Sequence, residues 1–301
     1  MLNFNLQNPN IGLICLCASA FLIFVFAIIF FLRKELPPFR TVLISGNEAQ
    51  LLAYLKSGTT DPNAFDEFGI TPLMIAAAYN KRTKVSEILI KHGADVFARD
   101  NEGYTVLFHA IKNNAPKKTL DMLIKRGAIL QDRTNEGLSA LTVALKNKPS
   151  SDMLVWLQSN GMDINERDRN GMTPLMHAIQ ENTPVEIVQT LLNLGANISD
   201  RAEFGVTPLM LSAGRNVNPY VLITLLENGA GIDDRSAEGL TPLMFAAAFN
   251  PNPEIVDVLM ECGARITLQD KDGNTALDYA KKNSALYETE IYWKLNNLSY
   301  E

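Results

Sequence analysis

The residue types best suited to metal, acid–base or nucleophilic chemistry are scarce in this sequence. Histidine and cysteine occur three times each, at His92, His109, His177, Cys15, Cys17 and Cys262. The cysteines show none of the paired spacings of a metal site, and the sequence has neither a glycine-rich phosphate-binding loop nor a Gly-x-Ser-x-Gly turn. We therefore expect no enzymatic activity, no bound metal or cofactor and no small-molecule substrate.

The charged residues bear on two further functions, cation binding and nucleic-acid binding, and neither is favoured. Acidic residues cluster in short segments as Asp66, Glu67, Asp100, Glu102, Asp168, Asp270 and Asp272. Each segment lacks the six or more oxygen ligands of a calcium site, so a solvated, turn-forming role is expected. The 27 basic and 33 acidic side chains give a net charge of −6, which argues against binding to nucleic acid. Local basic residues such as Arg133, Arg167 and Arg201 have acidic neighbours that offset them.

Glycines that recur at a constant interval indicate how these residues are positioned. Gly69, Gly103, Gly137, Gly171, Gly205, Gly239 and Gly273 are each 34 residues from the next. Such an interval is typical of stacked helical units rather than of one globular core. Most of these glycines are the first residue of a motif like Gly-Leu-Thr-Pro-Leu-Met-Phe-Ala-Ala-Ala, which occupies residues 239–248.

Each copy of the motif predicts a turn followed by a short helix. Thr241 is suited to cap the helix with its hydroxyl, and Pro242 fits the first helical position. A second glycine follows 22 residues after the threonine, for example Gly93, where a second helix would end in a left-handed cap. Two leucine columns predict a core shared between stacked units: Leu73, Leu107, Leu141, Leu175, Leu209, Leu243 and Leu277, and Leu89, Leu123, Leu157, Leu191, Leu225 and Leu259.

These motifs resemble the ankyrin repeat. They are Gly-x-Thr-Pro-Leu with an alanine pair after it, Leu-x-x-x-Gly-Ala-Asp at Leu89 to Asp95, and Asp-x-x-Gly at Asp100 to Gly103. The resemblance implies an all-α solenoid of helix-turn-helix units with β-hairpin-like loops. The tetratricopeptide repeat has the same interval but no Gly-x-Thr-Pro-Leu. Where the family usually has histidine this chain has Met74, Met176, Met210 and Met244, which predicts apolar contacts in place of a hydrogen-bond bridge.

In the ankyrin family the loop tips and the exposed face of the first helix form a concave groove that usually binds a protein. The resemblance assigns that role to Glu67, Phe68, Tyr79, Asn101, Glu102, Tyr104, Lys112, Arg169, Asn170, Met172, Glu203, Phe204 and Phe249. The aromatic members would be good anchors if exposed, because large apolar side chains are weakly solvated. The alternative for each is packing on the next unit.

The N-terminal segment predicts a membrane anchor. Residues 1–32 contain no Lys, Arg, Asp or Glu. As a helix, residues 11–32 would be about 33 Å long, enough to cross a bilayer core of about 30 Å. We interpret residues 1–10 as a short tail, 11–32 as a single transmembrane helix and 33–37 as a juxtamembrane linker. A cleaved signal peptide is the alternative, although it normally has a basic start and a shorter apolar run.

The basic residues Arg33, Lys34 and Arg40 after the span favour a cytoplasmic repeat domain. We expect that domain at residues 38–301, with a capping unit at 38–68, six full repeats at 69–272 and a closing unit at 273–301. The predicted function is a membrane-anchored scaffold for protein partners. The loops at residues 250–254 look like those of bacterial members of the family. Because many anchors of this length insert with the N-terminus inside, the alternative is an exported, periplasmic bacterial ankyrin repeat protein that supports an envelope or stress-protection enzyme. An enzyme with a site assembled between units is the third reading.

Overall fold

The computed structural model describes residues 38–58, 60–215 and 217–299. In chain order its helices are α1 (Phe39–Ser45), α2 (Glu48–Lys56), α3 (Pro72–Tyr79), α4 (Thr83–Lys91), α5 (Val106–Lys112), α6 (Lys117–Lys125), α7 (Ala140–Lys146), α8 (Ser151–Ser159), α9 (Pro174–Gln180), α10 (Val185–Asn193), α11 (Pro208–Arg215), α12 (Pro219–Glu227), α13 (Pro242–Phe249), α14 (Glu254–Glu261), α15 (Ala276–Ala280) and α16 (Glu290–Leu298). Odd-numbered helices are the first of each pair, and even-numbered helices are the second. The β-type pairing in these ranges is a single bridge between Arg99 and Thr105.

Side-chain caps start the first helices at the predicted positions. The Thr241 hydroxyl oxygen accepts the N–H of Met244, and Pro242 is the first helical residue. The methionine at this position does more than expected, because its sulfur accepts the N–H of Thr241 at 3.4 Å. The same bond joins Thr71 to Met74. The prediction of purely apolar methionine contacts is therefore wrong, since the sulfur completes a reciprocal cap.

The second helices end as the glycine spacing predicts. Gly93 has a φ of 91°, which glycine adopts at no steric cost. The N–H of Ala94 then bonds to the carbonyl of Leu89 at 3.0 Å, which closes the last turn. The same hydrogen bond recurs at the ends of α6, α8, α10, α12 and α14.

Stacking of the pairs buries both leucine columns. Leu141 and Leu157, near the middle of the chain, have no exposed surface, and Leu277 in the last unit is 5% exposed. Each first helix packs on the next first helix in an unbroken series from α1 to α15. Second helices pack likewise, as α4 does on α6 and α10 on α12. One pair alone cannot cover its own leucines, so the core is continuous along the stack, and burial of each leucine contributes about 1.5–3 kcal/mol.

Two serines interrupt this apolar packing. Ser86 in α4 is fully buried in a column that elsewhere holds Leu120, Leu154, Val188, Leu222 and Val256. Ser212 in α11 is also fully buried. Neither hydroxyl has a hydrogen-bond partner within the described part of the chain. A buried hydroxyl without a partner destabilises the fold.

The predicted tail, transmembrane helix and linker at residues 1–10, 11–32 and 33–37 lie outside the described residues. Across residues 38–58, 60–215 and 217–299, no helix combines the length and the apolar character that crossing a bilayer requires.

Candidate functional site

A five-residue tip precedes each first helix from α3 onward. The tips are residues 66–70, 100–104, 134–138, 168–172, 202–206, 236–240 and 270–274. In each, the N–H of the first residue bonds to the carbonyl of the fifth, at 3.1 Å from Asp100 to Tyr104. The Asp100 carboxylate also accepts the N–H groups of Glu102 and Tyr104. The turn-forming role predicted for the acidic residues is confirmed for Asp66, Asp100, Asp168 and Asp270. The side chains of Asp100 and Asp270 are buried rather than solvated.

Hydrogen bonds join neighbouring tips into one edge. The N–H of Asn101 bonds to the carbonyl of Phe68 at 3.0 Å, and its side-chain amide donates to the carbonyl of Glu67 at 2.9 Å. The N–H of Ala237 bonds to the carbonyl of Phe204 at 2.7 Å. We call the surface formed by the tips and the exposed residues of the first helices the tip-and-helix face. Such a backbone hydrogen bond is present at five of the six junctions between tips and is absent between residues 134–138 and 168–172, so the stack sets most of the geometry of this face.

An arginine column reinforces this edge. Arg99, Arg133, Arg167, Arg201 and Arg235 each stand immediately before a tip, 34 residues apart. The Arg167 guanidinium donates to the carbonyl of Arg201 at 2.7 Å and pairs with Asp200 at 2.6 Å. Arg133 pairs with Glu166 at 3.0 Å in the same way. The acidic neighbours therefore do offset these cations, and they do so across the junction between units. Such half-exposed pairs contribute about 0–1 kcal/mol each.

A polar pair also fixes some tips to their own helix. His109 Nε2 lies 2.8 Å from Asp100 Oδ2, and His177 Nε2 lies 3.0 Å from Asp168 Oδ2. Tyr279 donates its hydroxyl to Asp270. The sequence reasoning missed these pairs, although their spacing of nine residues is constant. Tips that begin with Thr134, Ala202 or Ser236 have an apolar residue at the same spacing, namely Val143, Leu211 or Phe245.

The electrostatics of these pairs fit a structural role. Burial lowers the pKa of His109, while the adjacent Asp100 carboxylate acts in the opposite direction. The hydrogen bond to Asp270 raises the pKa of Tyr279 to about 12. Both effects hold the side chain in the neutral form that completes the hydrogen bond.

Four of the five predicted aromatic anchors are exposed on the tip-and-helix face. The exposed fraction is 63% for Phe68, 53% for Tyr79, 67% for Phe204 and 61% for Phe249. Tyr104 is half-buried instead, with its ring 6.5 Å from that of Phe108. The Lys112 ammonium lies 5.0 Å from the centre of the Tyr104 ring. Tyr104 and Lys112 therefore pack on each other within one unit, whereas the alternative to anchoring was packing on the next unit.

The non-aromatic candidates differ in exposure. Glu67, Glu102, Arg169, Asn170 and Glu203 are exposed, whereas the apolar Met172 is half-buried. Asn101 is exposed, but its amide already bonds to the preceding tip. Its side chain is therefore less available to a partner than the sequence alone indicated.

Three depressions reach this face. One of about 470 Å³ lies between α7 and α9 and includes Arg169, Asn170, Met172 and His177. Another of about 360 Å³ lies between α11 and α13 and includes Phe249. The third, of about 420 Å³, lies at the first two tips and includes Asn101. The candidates therefore form a long surface rather than one pocket.

Two further findings concern residues outside that set. Phe65 is 76% exposed and occupies the column that holds arginine in the next five units. This change from arginine to phenylalanine in the column is the signal by which the sequence could have identified Phe65. Cys262 is exposed. Within the described ranges, no group of three or more His, Cys, Asp and Glu side chains is placed to hold a metal ion.

Comparison with known proteins adds to this geometry. The family model described as ankyrin repeats (3 copies) matches residues 41–134, 118–202 and 209–290. Among solved structures, the chain is similar to the crystal structure of the ankyrin repeat domain of Bcl-3, described as a unique member of the IkappaB protein family, with 27% identity and a TM-score of 0.57. The similarity covers 74% of this chain and 98% of that chain. The curated proteins contain no match. The resemblance inferred from the sequence is thereby confirmed.

Proposed function

Because the chain belongs to the ankyrin repeat family, we propose that it is a scaffold that holds a protein partner on its tip-and-helix face. Ankyrin repeats form protein–protein interaction domains. The observation that carries the proposal is the exposure of Phe68, Tyr79, Phe204 and Phe249 on one face. Exposed aromatic side chains of this kind supply most of the binding energy when a partner removes them from water.

The backbone at Phe204 supports the same conclusion. Phe204 has a φ of 58° and a ψ of 18°, the left-handed region that bulky residues avoid. The conformation costs about 1–2 kcal/mol, and the side chain remains 67% exposed, so packing does not compensate for it. Strain held without a packing benefit is characteristic of binding surfaces.

Affinity capture with the full-length chain as bait, followed by affinity measurement with the identified partner, tests the proposal. Phe249→Ala should weaken binding about tenfold or more, because truncation of a central aromatic typically costs about 2 kcal/mol. Tyr220→Ala is the matched control, since Tyr220 is 67% exposed but belongs to the second helix α12. Equal losses for the two variants, or no loss for Phe249→Ala, would contradict the assignment of this face.

We further propose that residues 11–32 anchor the scaffold in a membrane as a single span. The support is their lack of charge over 22 residues, which matches the thickness of a bilayer core. Arg33, Lys34 and Arg40 favour a cytoplasmic repeat domain. Anchoring would limit encounters to partners at the membrane surface.

Reporter fusions at the C-terminus test this topology. A fluorescent protein should fold and emit in the cytoplasm, whereas alkaline phosphatase should be inactive there. Active phosphatase would favour the exported alternative, in which the scaffold supports an envelope or stress-protection enzyme. Release of the chain from membranes by high salt would contradict a spanning anchor.

A further inference from the structure

Helix α11 carries a glycine that its backbone does not require. Gly214 precedes the last residue of the helix and is absent from the glycines with positive φ. A Cβ at this position would lie 3.4 Å from Cδ1 and 3.7 Å from Cβ of Phe245, which are ordinary contact distances. Glycine within a helix costs about 0.5–1 kcal/mol relative to alanine. The fold would accept a side chain here, so its absence calls for another reason.

The missing side chain leaves a notch on the tip-and-helix face. The same column holds Ala78, Lys112, Lys146, Gln180 and Ala248 in the other units. Beside Gly214 a depression of about 360 Å³ is lined by Val206, Met210, Leu211, Phe245 and Phe249, together with Arg215. The Phe245 and Phe249 rings meet edge to face, with centroids 5.9 Å apart. We call this depression the Gly214 notch.

The charge of Arg215 indicates which kind of ligand the notch can bind. Arg215 is the single formally charged residue among those that line it. Four of the five arginines of the tip column pair with an acid of the next unit, as Arg167 does with Asp200. Arg215 is exposed and pairs with no acid in the described part of the chain. An apolar depression beside an unpaired cation is complementary to an apolar side chain next to a carboxylate.

We propose that the Gly214 notch receives one large apolar side chain of a partner peptide segment, with an Asp or Glu of that segment beside Arg215. The inference rests on the proposed function and specifies the chemistry of the partner. Burial of the anchor against Met210, Leu211 and Phe245 supplies affinity, because it removes apolar surface from water on both sides. The carboxylate sets the register of the segment along the face.

Selection of phage-displayed random 12-residue peptides on the full-length chain tests the proposal. The selected sequences should share a large apolar residue within a few positions of an Asp or Glu. Synthetic peptides from the selection should bind Gly214→Gln about 10- to 100-fold more weakly by fluorescence polarisation, because the new side chain fills the notch. Glutamine has a higher helix propensity than glycine, so this variant should melt no lower than the wild type.

Two further variants complete the design. Arg215→Gln should weaken binding about two- to fivefold and reduce its dependence on salt, as expected for an exposed ion pair. Lys91→Gln introduces the same side chain at an exposed position at the end of the second helix α4, outside the tip-and-helix face, and it should bind as the wild type does.

Peptides that bind the wild type and Gly214→Gln equally, or that lack acidic residues, would overturn the inference. A substitution elsewhere on the same face, Phe204→Asn, separates the two proposals. If it weakens the binding of such peptides, the notch is not their site, but binding to the tip-and-helix face stands. If neither variant affects them, the proposed function fails as well.

Discussion

Replacement of Phe204 by asparagine should stabilise the fold while it weakens partner binding. Phe204 has a φ of 58° and is 67% exposed. Asparagine tolerates the left-handed region, so most of the strain of about 1–2 kcal/mol is relieved and little packing is lost. We expect the free energy of unfolding to rise by about 1 kcal/mol, which corresponds to a rise of about 2–4 °C in the melting temperature of a domain of this size.

Phe68→Asn is the matched control. Phe68 occupies the same position of an earlier tip and is 63% exposed, and it is absent from the residues with positive φ. Both substitutions remove the same side chain, so their difference isolates the backbone conformation. Urea titrations followed by circular dichroism should show a higher midpoint for Phe204→Asn than for Phe68→Asn, with unchanged slopes. Equal midpoints for the two variants would refute the argument from strain. A midpoint for Phe204→Asn below that of Phe68→Asn would show that the Phe204 ring contributes packing.

Three other substitutions probe the stack and its polar groups. Leu141→Ala removes a fully buried side chain and should lower the free energy of unfolding by about 2–5 kcal/mol. Its control, Ile129→Ala at a half-exposed position, should change that free energy by less than about 0.5 kcal/mol. Urea titration compares the two variants, and similar losses would contradict a shared core. Ser86→Ala removes a buried hydroxyl without a partner and should raise the free energy of unfolding by about 1 kcal/mol in the same assay; destabilisation would mean that the hydroxyl is bonded. The folded-state pKa of His109 lies below the usual histidine value of 6.5, chiefly because of burial. Its contribution to stability should therefore be complete above pH 6.5 and be lost as the pH falls through the folded-state pKa. Urea midpoints measured across this range should depend less on pH in His109→Gln than in the wild type, and identical pH dependence would contradict the assignment.

Much of the fold is predictable from the sequence because its signals are local. In the repeated motif a threonine followed by proline starts the first helix, and the glycine 22 residues after that threonine ends the second, so Thr241 and Gly93 specify helix limits from nearby residues. The regular interval then places Leu141 and its equivalents on one side of successive pairs, where stacking is the available way to bury them. The aromatic candidates followed from their columns, and Phe68, Phe204 and Phe249 are exposed as the binding hypothesis requires.

Features that depend on side-chain direction or on contacts between units were not predictable in this way. The sulfur of Met74 bonds to Thr71, Tyr104 packs against Lys112, and Asn101 donates to the preceding tip. Each of these contacts is decided by side-chain direction and by atoms of another turn or unit, which a column of residues does not record.

The sequence by itself determined that this chain is a stack of helix pairs, because caps, glycines and buried leucines act over a few residues and recur in register. Only the tertiary structure decided which side chains of the tip-and-helix face remain free, where the backbone at Phe204 is strained, and that Gly214 opens a notch beside Phe245. These properties arise from the spacing between adjacent units, and that spacing exists only once the units have packed together.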